Sequence, residues 1–509
     1  MERRAQTQDG ENVSRALATD LYQLTMAQGY FATGMADRAS IFHMFYRSPP
    51  FGGRYVVAAG IGSFSEWLET FCFSKDDLAF LATLSGAGGR PLFSRSFLDY
   101  LARWRFRGSI DAIPEGTIVF PHQPMVRVRA PLLDAQLIET PLLAIVNHQS
   151  LIATKASRVR LAAGDDEVLE FGLRRAPGLE GGLAASRAAY IGGVDATSNV
   201  LAAQRFSIPA RGTHAHSWVL AFADEQEAFL AYAELFPHNS VLLVDTYETV
   251  RGVRNAIAVG RRLRQQGAEL LGIRLDSGDL AYLAGEARKL LDEAGFTATK
   301  IVASGDLDEH LLCSLKSQGA PIDVWGVGTK LVTAFDEPAL GGVYKLAAVD
   351  DEQGRLMERM KICDQPEKTS IPGCLDTVRL KRDGFCVGDC IFDTLSESRP
   401  DRDGGAVNII SVTHPWQNKR VTLAGISGSL LLEPLFVDGQ RVGGNESVAA
   451  MRQRTLDGLA GFDRTILRLL NPHSYPAGLS EKLYQRRETL RAAGLAANRH
   501  GLPNDRTAR

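Results

Sequence analysis

Between residues 142 and 350, short apolar runs alternate with helical segments, and nothing else in the chain restricts its fold as strongly. The runs lie at 168–173, 218–222, 241–244, 271–275, 301–303, 324–327 and 343–349. Helical patterns fill 142–163, 224–236, 250–266, 280–294 and 308–317, and Gly267, Gly295 and Gly319 stand where three of them should end, a position that favours left-handed backbone. Repeated β-α units imply parallel strands covered by helices. Seven or eight such strands in about 200 residues favour a closed barrel over an open doubly wound sheet. No G-x-G-x-x-G follows the first strand, which weakens a dinucleotide-binding reading.

The rest of the chain has a different texture. A chain of 509 residues exceeds one ordinary domain. A helix is expected from Thr19-Asp20, with Thr19 as cap, Leu21, Leu24 and Met26 toward a core, and Tyr22 on another side as a flat plate for stacking a ring. Alternating and turn-rich stretches at 39–59 and 104–129 predict short antiparallel strands. The expected fold is therefore an irregular TIM-like α/β barrel at 142–350 with an N-terminal α+β sandwich domain at 14–141. A C-terminal region at 351–494 packs partly on the N-terminal domain, between a disordered leader (1–13) and a tail (495–509).

Composition excludes several classes. A net charge of -2 gives no global attraction to nucleic acid or anionic membrane, so any anion site is local. No run of about 18 apolar residues predicts a transmembrane helix, and the polar N-terminus lacks the apolar centre of a secretory signal. Six cysteines make no disulfide framework, and a cytoplasmic setting is expected. Cys363, Cys374, Cys386 and Cys390 fall close together without a C-x-x-C pair, which departs from zinc spacing.

In such barrels the chemistry sits at the C-terminal ends of the strands. There the sequence places Glu170-Phe171-Gly172 with Arg174 and Arg175, Asp245-Thr246, Asp276-Ser277-Gly278-Asp279, Ser304-Gly305-Asp306, and Gly328-Thr329-Lys330; Thr213 and His216 precede the 218–222 run. Histidine exchanges protons or acts as a nucleophile near neutral pH. The turns at Ser304-Gly305-Asp306 and Gly326-Val327-Gly328-Thr329 could open helices and cradle phosphate on backbone N–H groups, although plain structural turns explain either alone. Asp276 and Asp279 suit Mg²⁺ or ribose hydroxyls, or helix capping for Asp279. Arg174 and Arg274 suit a carboxylate or phosphate, or a rim salt bridge. The set describes transfer between a phosphorylated sugar and a small anionic ring.

The motifs Thr19-Asp20-Leu21-Tyr22-Gln23-Leu24-Thr25-Met26, Glu170-Phe171-Gly172-Leu173-Arg174-Arg175-Ala176, Gly212-Thr213-x-Ala215-His216-Ser217, Arg274-Leu275-Asp276-Ser277-Gly278-Asp279-Leu280 and Gly326-Val327-Gly328-Thr329, in this order, resemble the nicotinate phosphoribosyltransferases. The resemblance is strong over residues 16–350 and weak beyond. It implies a type II phosphoribosyltransferase that joins nicotinate to 5-phosphoribosyl 1-pyrophosphate, coupled to ATP hydrolysis through a phosphohistidine, with Mg²⁺. It makes His216 the phosphohistidine; His214 occupies the motif's variable position, which is often apolar. It implies a homodimer in which Tyr22 stacks on the ring in the neighbouring subunit's site. Arg274 and Thr213 would meet the nicotinate carboxylate, with Phe171 and Arg174 lining the pocket. Ser304, Gly305, Gly326, Gly328 and Thr329 would hold the 5-phosphate, and Asp276, Ser277 and Asp279 would face the ribose or metal. Related enzymes acting on nicotinamide or quinolinate, and a non-catalytic nucleotide-binding barrel, are the competing expectations.

Overall fold

The computed structural model describes residues 15–363, 368–402 and 404–500. The expected leader, 1–13, and the end of the expected tail, 501–509, lie outside the described residues.

Six parallel strands form the centre. In spatial order they are Ala196–Thr197, Glu167–Glu170, Val324–Val327, Lys300–Ser304, Gly272–Leu275 and Val241–Leu243. Gly272–Leu275 and Val324–Val327 are buried along their whole length, as parallel strands with both faces covered must be. Three of the helices that follow these strands start on acidic caps. Asp279 accepts from the Tyr282 N–H, Asp308 from His310 and Leu311, and Glu248 from Val250 and Arg251. Each carboxylate satisfies orphan N–H groups and faces the positive end of its helix. Helix Glu139–Ala163, 25 residues long, runs through the middle of the molecule, buried over most of its length.

Two of the seven apolar runs do not join this sheet. Residues 218–222 belong largely to the helix His216–Leu220. Only Val219 is buried there, Leu220 is exposed, and Trp218 Nε1 donates to the Ala228 carbonyl 3.0 Å away. A run with one inward side chain fits a helical turn lying on a neighbour, not a strand covered on both faces. The run at 343–349 lies in strand Gly342–Asp350, which pairs antiparallel with Ala39–Tyr46 and Leu356–Glu358.

That strand belongs to a seven-stranded sheet with Val126–Pro131, Ser109–Ala112, Glu433–Val437 and Gln440–Arg441. A third sheet, of six strands, is built from residues between Leu375 and Leu479. Helix Leu21–Ala32 starts after Asp20 rather than after a Thr19 cap, without a capping side-chain bond. It buries Gln23, Leu24 and Ala27, whereas Leu21 and Met26, expected inside, are exposed. Helix Glu481–His500 continues past the expected start of the tail.

Among the described residues, the parallel sheet is completed without a seventh full strand. At one edge, the Thr197 N–H donates to the Pro209 carbonyl (3.0 Å) and the Thr197 carbonyl accepts from the Arg211 N–H (3.0 Å), forming a single bridge. The chain then crosses through Gly212 and Thr213 to the opposite edge. There the Leu243 N–H, pointing away from its neighbour Gly272–Leu275, donates to His214 Nε2 at 3.2 Å. At this edge the bond to the strand's own backbone comes from one imidazole.

Candidate active site

The strand ends converge on Arg274, which is buried at the end of Gly272–Leu275. Its Nε donates to Ser304 Oγ (2.8 Å), one terminal nitrogen to Thr213 Oγ1 (2.9 Å) and the other to Asp276 Oδ1 (2.7 Å). Its guanidinium carbon lies 5.5 Å from the centre of the Phe171 ring, within cation–π range. Asp276 Oδ1 also accepts from Ser304 Oγ. Burial alone would raise the Asp276 carboxyl, but the Ser304 hydrogen bond and the Arg274 charge hold it below the usual carboxylate range.

His216 stands beside this group. Its Nδ1 is 3.1 Å from Thr246 Oγ1, and its Nε2 is 3.9 Å from Asp276 Oδ2. Its side chain is 39% exposed, so the ring is fixed through one nitrogen and open at the other. Asp245 supports the same turn: its Oδ2 accepts from the Asp276 N–H (2.9 Å) and from Ser277 Oγ (2.6 Å). Asp245 and Thr246 were visible after the 241–244 run, yet nothing in their types set them apart from the other strand-end residues.

The glycine turns expected to cradle phosphate are held by close packing. Gly305 has φ +95°, and a Cβ there would overlap the Asp276 carbonyl. A Cβ on Gly326 would run into the Phe171 ring. The first glycine turn does not itself open a helix, because Glu309–Ser317 begins later, on the Asp308 cap. The second does, with Gly328 as N-cap of Thr329–Val332. Lys330 Nζ reaches back to Asp308 Oδ2 (2.6 Å), tying the two turns together. The Phe171-Gly172 turn is fixed from beneath by buried Glu170, which accepts from Gly172 N–H, Ser186 Oγ and Thr197 Oγ1.

His216, Thr213, Arg274, Asp276, Ser277, Ser304, Gly305, Gly326 and Phe171 therefore share one connected site. Gly328 packs against the Phe171-Gly172 turn, and Thr329 starts the helix Thr329–Val332. Asp279 caps Leu280–Glu293 with one carboxylate oxygen. Arg174 is exposed on the 3₁₀ turn Leu173–Arg175 and makes no ion pair among the described residues. Tyr22 is not brought into the group: it is 49% exposed, and its polar neighbours are Asp20, Gln23, Glu139 and Thr140.

Among the described residues no group of three or more His, Cys, Asp or Glu is arranged to hold a metal ion. All six cysteines are free thiols; Cys390 is buried in the C-terminal sheet, and burial pushes its thiol up. A cleft of about 1240 Å³ shares no residue with the barrel-end group. It lies between the N-terminal domain and the C-terminal sheet and carries Arg47, Arg54, Arg382, Lys419 and Arg420 against one carboxylate, Asp463, an anion-attracting wall.

Three family models match the chain in succession. They describe the nicotinate phosphoribosyltransferase N-terminal domain (residues 17–147), the nicotinate phosphoribosyltransferase family (167–388) and the C-terminal domain of the same enzymes (377–487). The chain belongs to the nicotinate phosphoribosyltransferase family. A nicotinate phosphoribosyltransferase of Bacillus subtilis (strain 168) is 43% identical, over 92% of this chain and 93% of the relative. One of Homo sapiens is 35% identical, over 94% and 97%. The crystal structure of human nicotinic acid phosphoribosyltransferase superposes with a TM-score of 0.80 at 32% identity, covering 93% of this chain and 99% of that one. A nicotinate-nucleotide pyrophosphorylase from Pyrococcus furiosus shares the fold, with a TM-score of 0.67 at 20% identity over 90% and 99% of the chains. In this nicotinate phosphoribosyltransferase-family chain no helix among the described residues is long and apolar enough to cross a membrane.

Proposed function

We propose that the protein transfers the phosphoribosyl group of 5-phosphoribosyl 1-pyrophosphate to nicotinate, giving nicotinate mononucleotide and pyrophosphate, the first step of NAD synthesis from nicotinate. We further propose that ATP drives this transfer through phosphorylation of His216. The observation that carries the reading is His216 itself, fixed at Nδ1 by Thr246, with Nε2 open beside Asp276.

In the tautomer that donates Nδ1–H to Thr246, the Nε2 lone pair is free to attack the γ-phosphorus of ATP. An N–P bond forms, the bond to the bridging oxygen breaks, and ADP leaves. In the transfer step the nicotinate ring nitrogen bonds to ribose C1 as the C1–O bond to pyrophosphate breaks. The added dianion on His216 then favours release of pyrophosphate by repulsion, and water attacks the phosphorus, breaking the N–P bond, releasing inorganic phosphate and returning the histidine to its free form.

Arg274 keeps two of its five N–H groups outside the bonds to Ser304, Thr213 and Asp276, enough for one carboxylate. The Phe171 ring gives the same pocket an apolar wall, and the family motif would have Arg174 line it. The glycine turns at 304–306 and 326–329 offer backbone close approach to the 5-phosphate.

Mg²⁺ fits this site as an ion brought by phosphate oxygens, since no cage of three or more His, Cys, Asp or Glu is arranged for it among the described residues. Asp276 and Asp279 each keep one oxygen outside the bonds described, an arrangement that suits this ion. When bound it offsets charge on the leaving pyrophosphate.

The reading includes a homodimer. Tyr22 is exposed beside Leu21 and Met26 on the first helix, while Leu179, Val200, Tyr247 and Tyr282 are exposed in the segments that follow barrel strands. These exposed apolar side chains are the groups that a subunit contact would cover. Tyr22 of the partner subunit would then supply the stacking plate.

The test is pyrophosphate release with nicotinate, nicotinamide or quinolinate, each with and without Mg-ATP. Release with nicotinate alone, raised by ATP and accompanied by ADP, is expected. In His216→Ala, basal transfer should persist without ATP stimulation; full stimulation in that variant would refute the phosphohistidine.

A further inference from the structure

His214 lies two residues before the reacting histidine, at the position the family motif leaves variable. Its side chain is nearly buried, packed edge-on against Tyr232 with ring centres 4.9 Å apart and near Phe229 at 6.0 Å. Its Nδ1 faces the Ala215 carbonyl at 3.3 Å, and its Nε2 faces the Leu243 N–H at 3.2 Å. A carbonyl only accepts and an amide only donates. The two contacts therefore select one neutral tautomer, protonated at Nδ1 and accepting at Nε2.

The Leu243 amide lies on the outer edge of the last parallel strand, where a further strand would have supplied a carbonyl. The same loop carries Thr213, bonded to Arg274, and His216, bonded to Thr246, three residues beyond the end of that strand. The position of this loop against the strand thus sets the separation of His216 from Thr246 and of Thr213 from Arg274.

We infer that His214 is a positioning residue: its imidazole substitutes for the absent strand and docks the 212–216 loop so that His216 and Thr213 meet their partners. It touches no substrate. The inference rests on the proposed role of His216, and the test separates the two.

The experiment compares wild type with His214→Leu, which fills a similar volume without an acceptor, and His214→Gln, whose amide oxygen can accept from Leu243. Hydrogen exchange at the Leu243 amide reads the docking directly. Nicotinate transfer with and without ATP reads its effect, and Tm checks folding. In His214→Leu, exchange at Leu243 should rise by about tenfold or more, the scale of one lost buried hydrogen bond. ATP stimulation should fall and KM for nicotinate rise, with basal kcat less affected. His214→Gln should restore most of the protection and the stimulation.

Leu243 protection in His214→Leu equal to wild type would overturn the inference. So would equal losses in the two variants. If the wild type itself shows no ATP stimulation, the phosphohistidine reading fails, and the exchange data and nicotinate KM still decide the role of His214.

Discussion

Arg274 illustrates how much of the site depends on the shape of one side chain. Its three bonds leave in three directions, to Ser304, Thr213 and Asp276. Lysine keeps the charge but cannot reproduce the planar fork. With charged hydrogen bonds worth about 1.5–3 kcal/mol each, Arg274→Lys should lower kcat/KM for nicotinate by at least about tenfold, read by steady-state kinetics. Gly305 is constrained by backbone. Its φ of +95° and the Asp276 carbonyl that a Cβ would strike predict that Gly305→Ala costs about 1–3 kcal/mol, measurable as a lowered denaturation midpoint, and raises KM for the phosphoribosyl donor. At this scale much of the constellation was legible: the rule that chemistry gathers at strand ends selected Arg274, Asp276, Ser304 and Phe171, and the structure connects them. Tyr22 was legible by type and motif, but one chain does not bring it to the site. Asp279 was read two ways, and its carboxylate lies on the helix N-terminus.

At the scale of elements, the junctions carry buried ion pairs. Glu115 accepts two bonds from Arg187 of helix Gly178–Ile191, at 2.8 and 2.7 Å, as well as the Gly60 and Gly62 N–H groups. Burial opposes the charge, yet Arg187 and the backbone bonds hold the Glu115 carboxyl below its ordinary range. Removing one partner of such a pair leaves an uncompensated charge at a cost of about 3–5 kcal/mol. Glu115→Ala should therefore lower the unfolding midpoint far more than a surface substitution, as calorimetry would register. Long helices and buried strands were readable because period and glycine stops agree, as in 224–236 against the observed Glu225–Leu235. The 218–222 run misled because a short apolar stretch has no period of its own. What decides it is the aromatic surface of helix Glu225–Leu235, which receives Trp218. The strand Gly342–Asp350 looked like a further barrel strand because alternation does not reveal which sheet will be its partner.

For the whole molecule, acid should be the main stress. Burial pushes His43 down to about 3 and His122 and His214 to about 4. All three are neutral in the fold and titrate near 6.5 once unfolded. Their contribution is fully present above about pH 6.5 and is lost as pH falls toward the folded values, by about 2 kcal/mol for each at pH 5. Denaturant midpoints at pH 7.5 and pH 5 measure this, and equal midpoints would contradict it. The proposed dimer makes a second prediction. Neither Tyr22→Ala nor His216→Ala alone should show full ATP-stimulated activity. Mixing the two after dissociation should restore part of it, because one site of each mixed dimer then draws intact residues from both chains. A lack of complementation in verified mixed dimers would argue against shared sites.

The imidazole at the barrel edge makes the ring a bracelet with a clasp. A ladder of backbone bonds opens cooperatively, several links at once, whereas a clasp opens by itself. The seam that His214 closes lies beside the histidine proposed to react, and local opening there should cost less than global unfolding. Rigidity elsewhere in the parallel sheet and freedom at this one place are consequences of the same topology.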